Sequence, residues 1–282
     1  MNTYEENKPS PYGNVVLITG ASSGIGKSTA LLLKDYGFHV YGASRYIEFT
    51  PTVSGYEGGF FKSIRMDVRD KDSVKSAVES ILNYETSIDI LINCAGIGTC
   101  GAVEHYNDDD IDNILSTNLY GYMHTLKEVL PHMRSNRNGL IVNIGSVAGI
   151  FAIPYQSFYS VTKFSIEALT ESLRIEVAPF NIKATLIAPG DVKTGFTEAR
   201  QYVLDAKNNS EYNKRMHESV RKMETDESNG MPADKVAKAI FKVIRNANPP
   251  VRVVVGAKYK VFVFLKKIMP SRLTEYIIKH MY

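Results

Sequence analysis

Short, largely unbroken apolar runs, set apart by longer helical patterns, constrain this chain most. They are NVVLIT (14–19), FHVYGAS (38–44), FKSIRMDV (61–68), IDILINCAG (88–96), NGLIVNIGS (138–146), NIKATLIAPG (181–190) and VRVVVG (251–256). Most lack the in–out alternation of a strand with one wet face. Helical patterns fall between them at 25–36, 71–82, 108–133, after QSFYSVTK (156–163), and at 232–246, the last opened by Pro232. Strands buried on both faces and separated by helices specify an α/β fold, a mostly parallel sheet with helices on both faces. Right-handed crossovers bring the C-terminal strand ends to one rim, where ligands of open sheets bind. Gly20, Asn93, Ser146 and Pro189 all fall at that rim. No internal boundary divides the 282 residues, so one domain over 1–282 is expected.

The first strand runs into TGASSGIG, Thr19 to Gly26. Glycines at 20, 24 and 26 let backbone approach a pyrophosphate, and the helix that opens there offers unpaired N–H groups. Thr19, Gly20, Ser22, Ser23, Gly24, Ile25 and Gly26 are therefore the candidate dinucleotide turn. Its G-x-x-x-G-x-G spacing differs from G-x-G-x-x-G. Gly26-Lys27 also does not close the four-residue spacer of a nucleotide-triphosphate loop. The second strand ends at Ser44 and Arg45, with no acid to hold a ribose 2′-hydroxyl. A guanidinium there suits a 2′-phosphate, with Ser44 donating a hydroxyl, so NADP(H) is preferred and NAD(H) is the alternative. Asp67 and Val68 close the third strand, where Asp67 is placed for the adenine amino group. Asn93, Ala95 and Gly96 end the fourth, and the two small residues make a thin wall for a flat cofactor.

Tyr159 and Lys163 stand four apart and share a helix face. A phenol ionises near 10, and a neighbouring ammonium favours the phenolate. Tyr159 is thus a candidate to exchange a proton with an alcohol or carbonyl. Ser146 is placed to hydrogen-bond the same oxygen, and Lys163 to hold the nicotinamide ribose as well. Asn118, in a helix interior that disfavours asparagine, is a candidate to bind a water that relays protons to Lys163.

TGASSGIG, NCAG, Asn118, Ser146, YSVTK and Pro189-Gly190 together resemble the short-chain dehydrogenase/reductase family over roughly 15–256. The resemblance implies a single Rossmann-type domain, usually dimeric or tetrameric. It implies Asn118, Ser146, Tyr159 and Lys163 as the catalytic set and Thr194 as a nicotinamide contact. Pro189, Gly190 and Val192 are expected beside the cofactor. Ile92 and Cys94 depart from the commoner NNAG pattern, while Asn93, Ala95 and Gly96 keep register.

Residues 191–231 are long for a connection and carry Phe196, Tyr202, Val203, Leu204, Tyr212, Met216 and Met223. They are expected to form a lid over a hydrophobic substrate, with Ile150, Phe151, Ile153 and Tyr155 opposite. This lid and the basic, apolar extension at 257–282 resemble members acting on hydroxysteroids, retinoids or other lipid-like alcohols. Net charge is +3, yet 251–282 carries seven basic residues against Glu275 alone. That segment either packs its apolar face on the body or touches a membrane surface. No basic groove or aromatic platform accompanies it, so nucleic acid is not an expected partner. Two cysteines form no disulfide framework or metal set, and no apolar leader precedes the first strand. A cytoplasmic oxidoreductase, free or membrane-associated, is therefore expected. The alternatives are a non-catalytic NADP-binding regulator and a membrane-surface adaptor.

Overall fold

The computed structural model describes residues 10–46, 52–56, 58–203 and 210–282. Its parallel strands are β1 (Val15–Thr19), β2 (His39–Ser44), β3 (Phe60–Arg65), β4 (Ile90–Asn93), β5 (Gly139–Ile144), β6 (Ile182–Pro189) and β7 (Arg252–Val255). They lie in the order β7-β6-β5-β4-β1-β2-β3. A two-residue strand, Val53–Ser54, adds an antiparallel edge beside β3. That edge strand was not legible because it is short and exposed.

The alternation within β1 divides the core. Val15 and Leu17 pack with α2 (Lys71–Leu82), α4 (Gly121–Asn136) and α5 (Ser157–Val177), through Val78, Val129 and Leu173 among others. Val16 and Ile18 face α1 (Gly24–Lys34) and α7 (Ala233–Ile244), through Leu33 and Ile240. Both sheet faces are therefore dry, as a parallel sheet requires. This is the expected α/β architecture, a Rossmann-like fold.

The predicted helix over 108–133 is interrupted. α3 (Asp108–Leu115) passes through a π-helical turn at Ser116–Tyr120 before α4 begins. Such turns concentrate at functional sites, and this one carries Asn118. Within 191–231 lie α6 (Ser210–Ser228) and short strands at Val192–Lys193 and Gln201–Tyr202; Leu204 falls outside the described residues. The C-terminal segment folds as α8 (Ala257–Ile268) and α9 (Ser271–Met281), separated at Pro270.

The rim is stapled by buried side chains. Thr19 Oγ1 accepts hydrogen bonds from the backbone N–H groups of Cys94 and Ala95 at 3.0 and 3.1 Å, tying the end of β1 to the turn after β4. Replacing Thr19 with Val keeps the shape and strands both donors. Urea melts should show a loss of about 1–3 kcal/mol; an unchanged midpoint would mean that the staple carries no stability.

Candidate active site

The chain leaves β1 toward β2 on one side, and the connection from β3 crosses back to β4 on the other, opening a crevice at the C-terminal strand ends. A cavity of about 400 Å³ fills it. Its floor is the glycine turn. Gly20 has φ +68°, and a Cβ there would sit 2.8 Å from Ala95 Cα. Gly24, at φ +53°, opens α1. Ser23 caps that helix without a side-chain hydrogen bond, and no acid lies in its first turn, so its N–H groups are available to an anion. Ser22, Ser23, Ile25 and Gly26 line the same floor. This cradle fits a dinucleotide pyrophosphate.

At the far end stand Ser44, Arg45, Asp67 and Val68. The Ser44 hydroxyl donates to the Tyr46 carbonyl at 2.7 Å, rather than standing ready to donate to a ligand. The Asp67 carboxylate is gripped by Arg69, whose Nη2 lies 2.7 Å from Oδ2. That hydrogen bond, against an opposing desolvation, holds its pKa below the ordinary value. Arg69 thus adds a second guanidinium at this end, also lining the cavity. Sequence reasoning missed it, although it stands only two residues beyond Asp67.

At the opposite end the first turns of α5 bring Tyr159 and Lys163 to Ser146, which follows β5. Ser146 hydrogen-bonds the phenol, and its Oγ accepts from Ala148 N at 3.1 Å. Lys163 Nζ donates to the Ile144 carbonyl at 3.0 Å and lies 5.7 Å from the Tyr159 ring centroid. The ammonium does not pull the phenol down as expected. Burial pushes Tyr159 up to about 12, against the lowering hydrogen bond from Ser146. Burial also pushes Lys163 down to about 8. Desolvation dominates both shifts because each charged form loses water on burial. At neutral pH the phenol therefore keeps its proton.

Ala95, Gly96, Pro189, Gly190, Val192 and Thr194 also line the cavity. Three other expected residues stand behind its wall. Thr19 is occupied by the staple described above. Asn93 is fully buried, donating to Asn143 Oδ1 at 3.0 Å and accepting from Thr125 at 2.7 Å. Asn118 Oδ1 accepts from Ile97 N at 2.8 Å, while its Nδ2 donates to Ile97 O at 2.9 Å. The Asn118 side chain thus braces the Ile97 backbone, and Asn93 and Thr19 are tied up behind the cavity wall. Buried polar groups must find partners, and these found them within the wall.

The lid divides similarly. Val203 and Met216 pack with Cys100 and Tyr106 rather than facing the cavity. Phe196 and Met223 do line it, and of the four residues expected opposite, Ile153 does. Glu227 on α6, and Tyr259 and Tyr282 from the C-terminal segment, line it too. No sequence pattern marked these three, since only the folding-back of distant helices puts them there.

A short chain dehydrogenase family profile matches residues 14–203. The chain belongs to that family. It is similar to a 3-ketodihydrosphingosine reductase from Bacteroides thetaiotaomicron, 39% identical over 95% of this chain and 97% of the relative. A short-chain dehydrogenase crystal structure from Streptomyces avermitilis superposes with a TM-score of 0.80, at 28% identity over 95% of this chain and 97% of that one. ElxO, solved with NADP bound, gives a TM-score of 0.70 at 28% identity, covering 88% of this chain and 99% of that one. Membership of the family, with the glycine cradle, makes this chain a nicotinamide-dependent oxidoreductase acting on alcohol or carbonyl groups.

Lysine ε-methylene carbon NMR of the free protein should show a resonance titrating near pH 8, the value burial imposes on Lys163. It should vanish in Lys163→Met. Titration of every lysine above pH 10 would contradict the buried placement of Nζ.

Proposed function

We propose that this protein uses NADPH to reduce the 3-keto group of a long-chain 2-amino ketone of the sphingoid type, with Tyr159 as proton donor. The observation that carries the reaction is a Tyr159 phenol held protonated beside Ser146 and Lys163, in a cavity continuous with the dinucleotide cradle. The substrate class is supported by the near full-length similarity to the Bacteroides reductase. Apolar Phe196, Met223 and Ile153 suit its hydrocarbon. Among the lipid-like substrates the sequence pointed to, this relative favours a sphingoid ketone over steroids and retinoids. A purely regulatory cofactor binder has no use for the Ser146–Tyr159–Lys163 grouping.

Arg45 and Arg69 both flank the end of β2, where NAD selectivity would favour an acid, and so support a 2′-phosphate. A reduced nicotinamide held in the cradle would supply the hydride for the carbonyl carbon. Tyr159 gives its proton to the carbonyl oxygen as the C=O π bond breaks. Ser146 donates a hydrogen bond to the same oxygen and orients it. The Lys163 ammonium stabilises the resulting phenolate, which regains its proton from solvent.

Tyr159→Phe should cut turnover by about 10²–10⁴-fold while NADPH affinity, read by nicotinamide fluorescence, holds. Near-normal turnover would remove Tyr159 from the mechanism. Arg45→Asp should weaken NADPH more than NADH; an unchanged ratio would overturn the 2′-phosphate assignment.

The C-terminal helices favour a second reading, that the protein docks on anionic bilayers from which such a substrate is drawn. No helix among the described residues is long and apolar enough to cross a membrane. Yet α8 exposes Val261, Phe264 and Ile268, and α9 exposes Leu273, Tyr276 and Ile277. Lys260 and Lys267, each one position before a stripe residue, flank the apolar stripe of α8, and Arg272 and Lys279 are exposed on α9. Pairing with a second copy through this face would oppose like charges, whereas anionic headgroups match it. Tyr259 and Tyr282 connect the same segment to the cavity. The protein should co-sediment with phosphatidylglycerol vesicles more than with phosphatidylcholine ones, and Phe264→Glu with Ile268→Glu should abolish this. Equal partitioning of the variant would contradict the docking face.

A further inference from the structure

We infer that Glu227 is the specificity residue that selects a substrate carrying an ammonium group beside the reacting carbonyl. The inference rests on the proposed ketone reduction at Tyr159 and assigns the lid a recognition role.

Two carboxylates line the cavity on the lid side, Asp191 and Glu227. Asp191 is occupied by the Tyr259 hydroxyl and by Lys258, 3.2 Å away. Glu227 is held but not saturated. Its Oε1 accepts from Arg200 Nη2 at 2.5 Å, and its Oε2 accepts from the Thr197 hydroxyl at 2.6 Å. A carboxylate has about four lone-pair sites, so acceptor capacity remains. These two bonds also fix its rotamer, which makes Glu227 a pre-oriented acceptor rather than a loose surface acid.

The charge around it does not cancel. Arg200, whose side chain is 1% exposed, is shared between Glu227 and Glu224, the latter 3.7 Å from Nη1. The Tyr202 hydroxyl donates to Glu224 at 3.0 Å and adds no charge. Two carboxylates against one guanidinium leave a net negative charge on this part of the lid. Arg200 Nε and Nη1 have no hydrogen-bond acceptor, so the cluster is not closed on itself. Because the lid sits over a partly dry cavity, that charge is poorly screened.

The charge also reaches the reacting position. Glu227 favours the protonated form of Tyr159, and Arg200 opposes it. The Phe196 ring centroid lies 5.7 Å from that of Tyr159, and the next residue, Thr197, holds Glu227, so a carbonyl on the Tyr159 hydroxyl has its neighbouring carbon on the Glu227 side of the cavity. An ammonium on that carbon is attracted and finds an acceptor. A neutral β-keto ester or thioester gains nothing there. The surrounding Phe196, Ala199 and Met223 provide apolar contact, and Lys163, bonded to the Ile144 carbonyl beside Tyr159, is the cation that Glu227 must outweigh.

The test compares NADPH-dependent reduction of 3-ketodihydrosphingosine with its N-acetyl and des-amino analogues. The free amine should be preferred by about tenfold or more in kcat/KM, the scale of one charge-assisted hydrogen bond. Glu227→Gln should erase most of that preference, through KM rather than kcat. A wild-type enzyme indifferent to the amine, or a variant that keeps the preference, overturns the inference and leaves the ketone reduction standing. Turnover of none of the three overturns both. If Glu227→Gln fails to fold, competitive inhibition of the wild-type protein decides. Dodecylammonium should inhibit about tenfold or more strongly than dodecanol, and equal inhibition overturns the inference.

Discussion

Everything at the rim depends on how the end of β1 is fastened to the turn after β4. One hydroxyl, that of Thr19, takes two backbone N–H groups there, and Gly20 lets the chains close to contact. A side chain at Gly20 would collide with Ala95, and the crevice between β1 and β4 would be forced open. The same logic continues inward. Asn118, on its π-helical turn, holds both backbone groups of Ile97 and also donates to Thr162 at 3.2 Å, while Asn93, Asn143, Thr125 and Thr170 link β4, β5, α4 and α5. This scaffold is polar and buried, which costs stability unless every group is paired. Paired as it is, it holds the cavity wall rigid behind Tyr159 and Lys163.

The architecture was readable because both-faces-apolar strands leave few alternatives, whereas the strand order that sets β1 between β2 and β4 came only from the structure. Glycine spacing placed the cradle, and the i,i+4 pair placed Tyr159 and Lys163 on one helix face. Three things were not readable. Polar residues next to a site look the same in sequence whether they face a ligand or brace the wall, as the side chains of Thr19, Asn93 and Asn118 do. A local charge rule predicted a depressed phenol, whereas desolvation of the whole cavity sets the direction. Glu227, Tyr259 and Tyr282 reach the cavity only through tertiary folding of α6, α8 and α9, which no short-range pattern encodes.

The cleft that results carries charge at both ends. Arg45 and Arg69, the latter paired with Asp67, stand where the adenosine end of a dinucleotide would lie, and Glu227 and Lys163 both line the reacting end. Between them Tyr159 stays protonated, the state a carbonyl reduction needs. The apolar, lysine-flanked face of α8 and α9 lies on the segment that also supplies Tyr259 and Tyr282 to the cavity.

Isotope transfer tests the central claim most directly. With NADPH dideuterated at the nicotinamide 4-position and 3-ketodihydrosphingosine as acceptor, the account predicts an alcohol product carrying a single deuterium on carbon 3, detected by mass spectrometry. Product without the label, or no product while the protein binds NADPH, would contradict it.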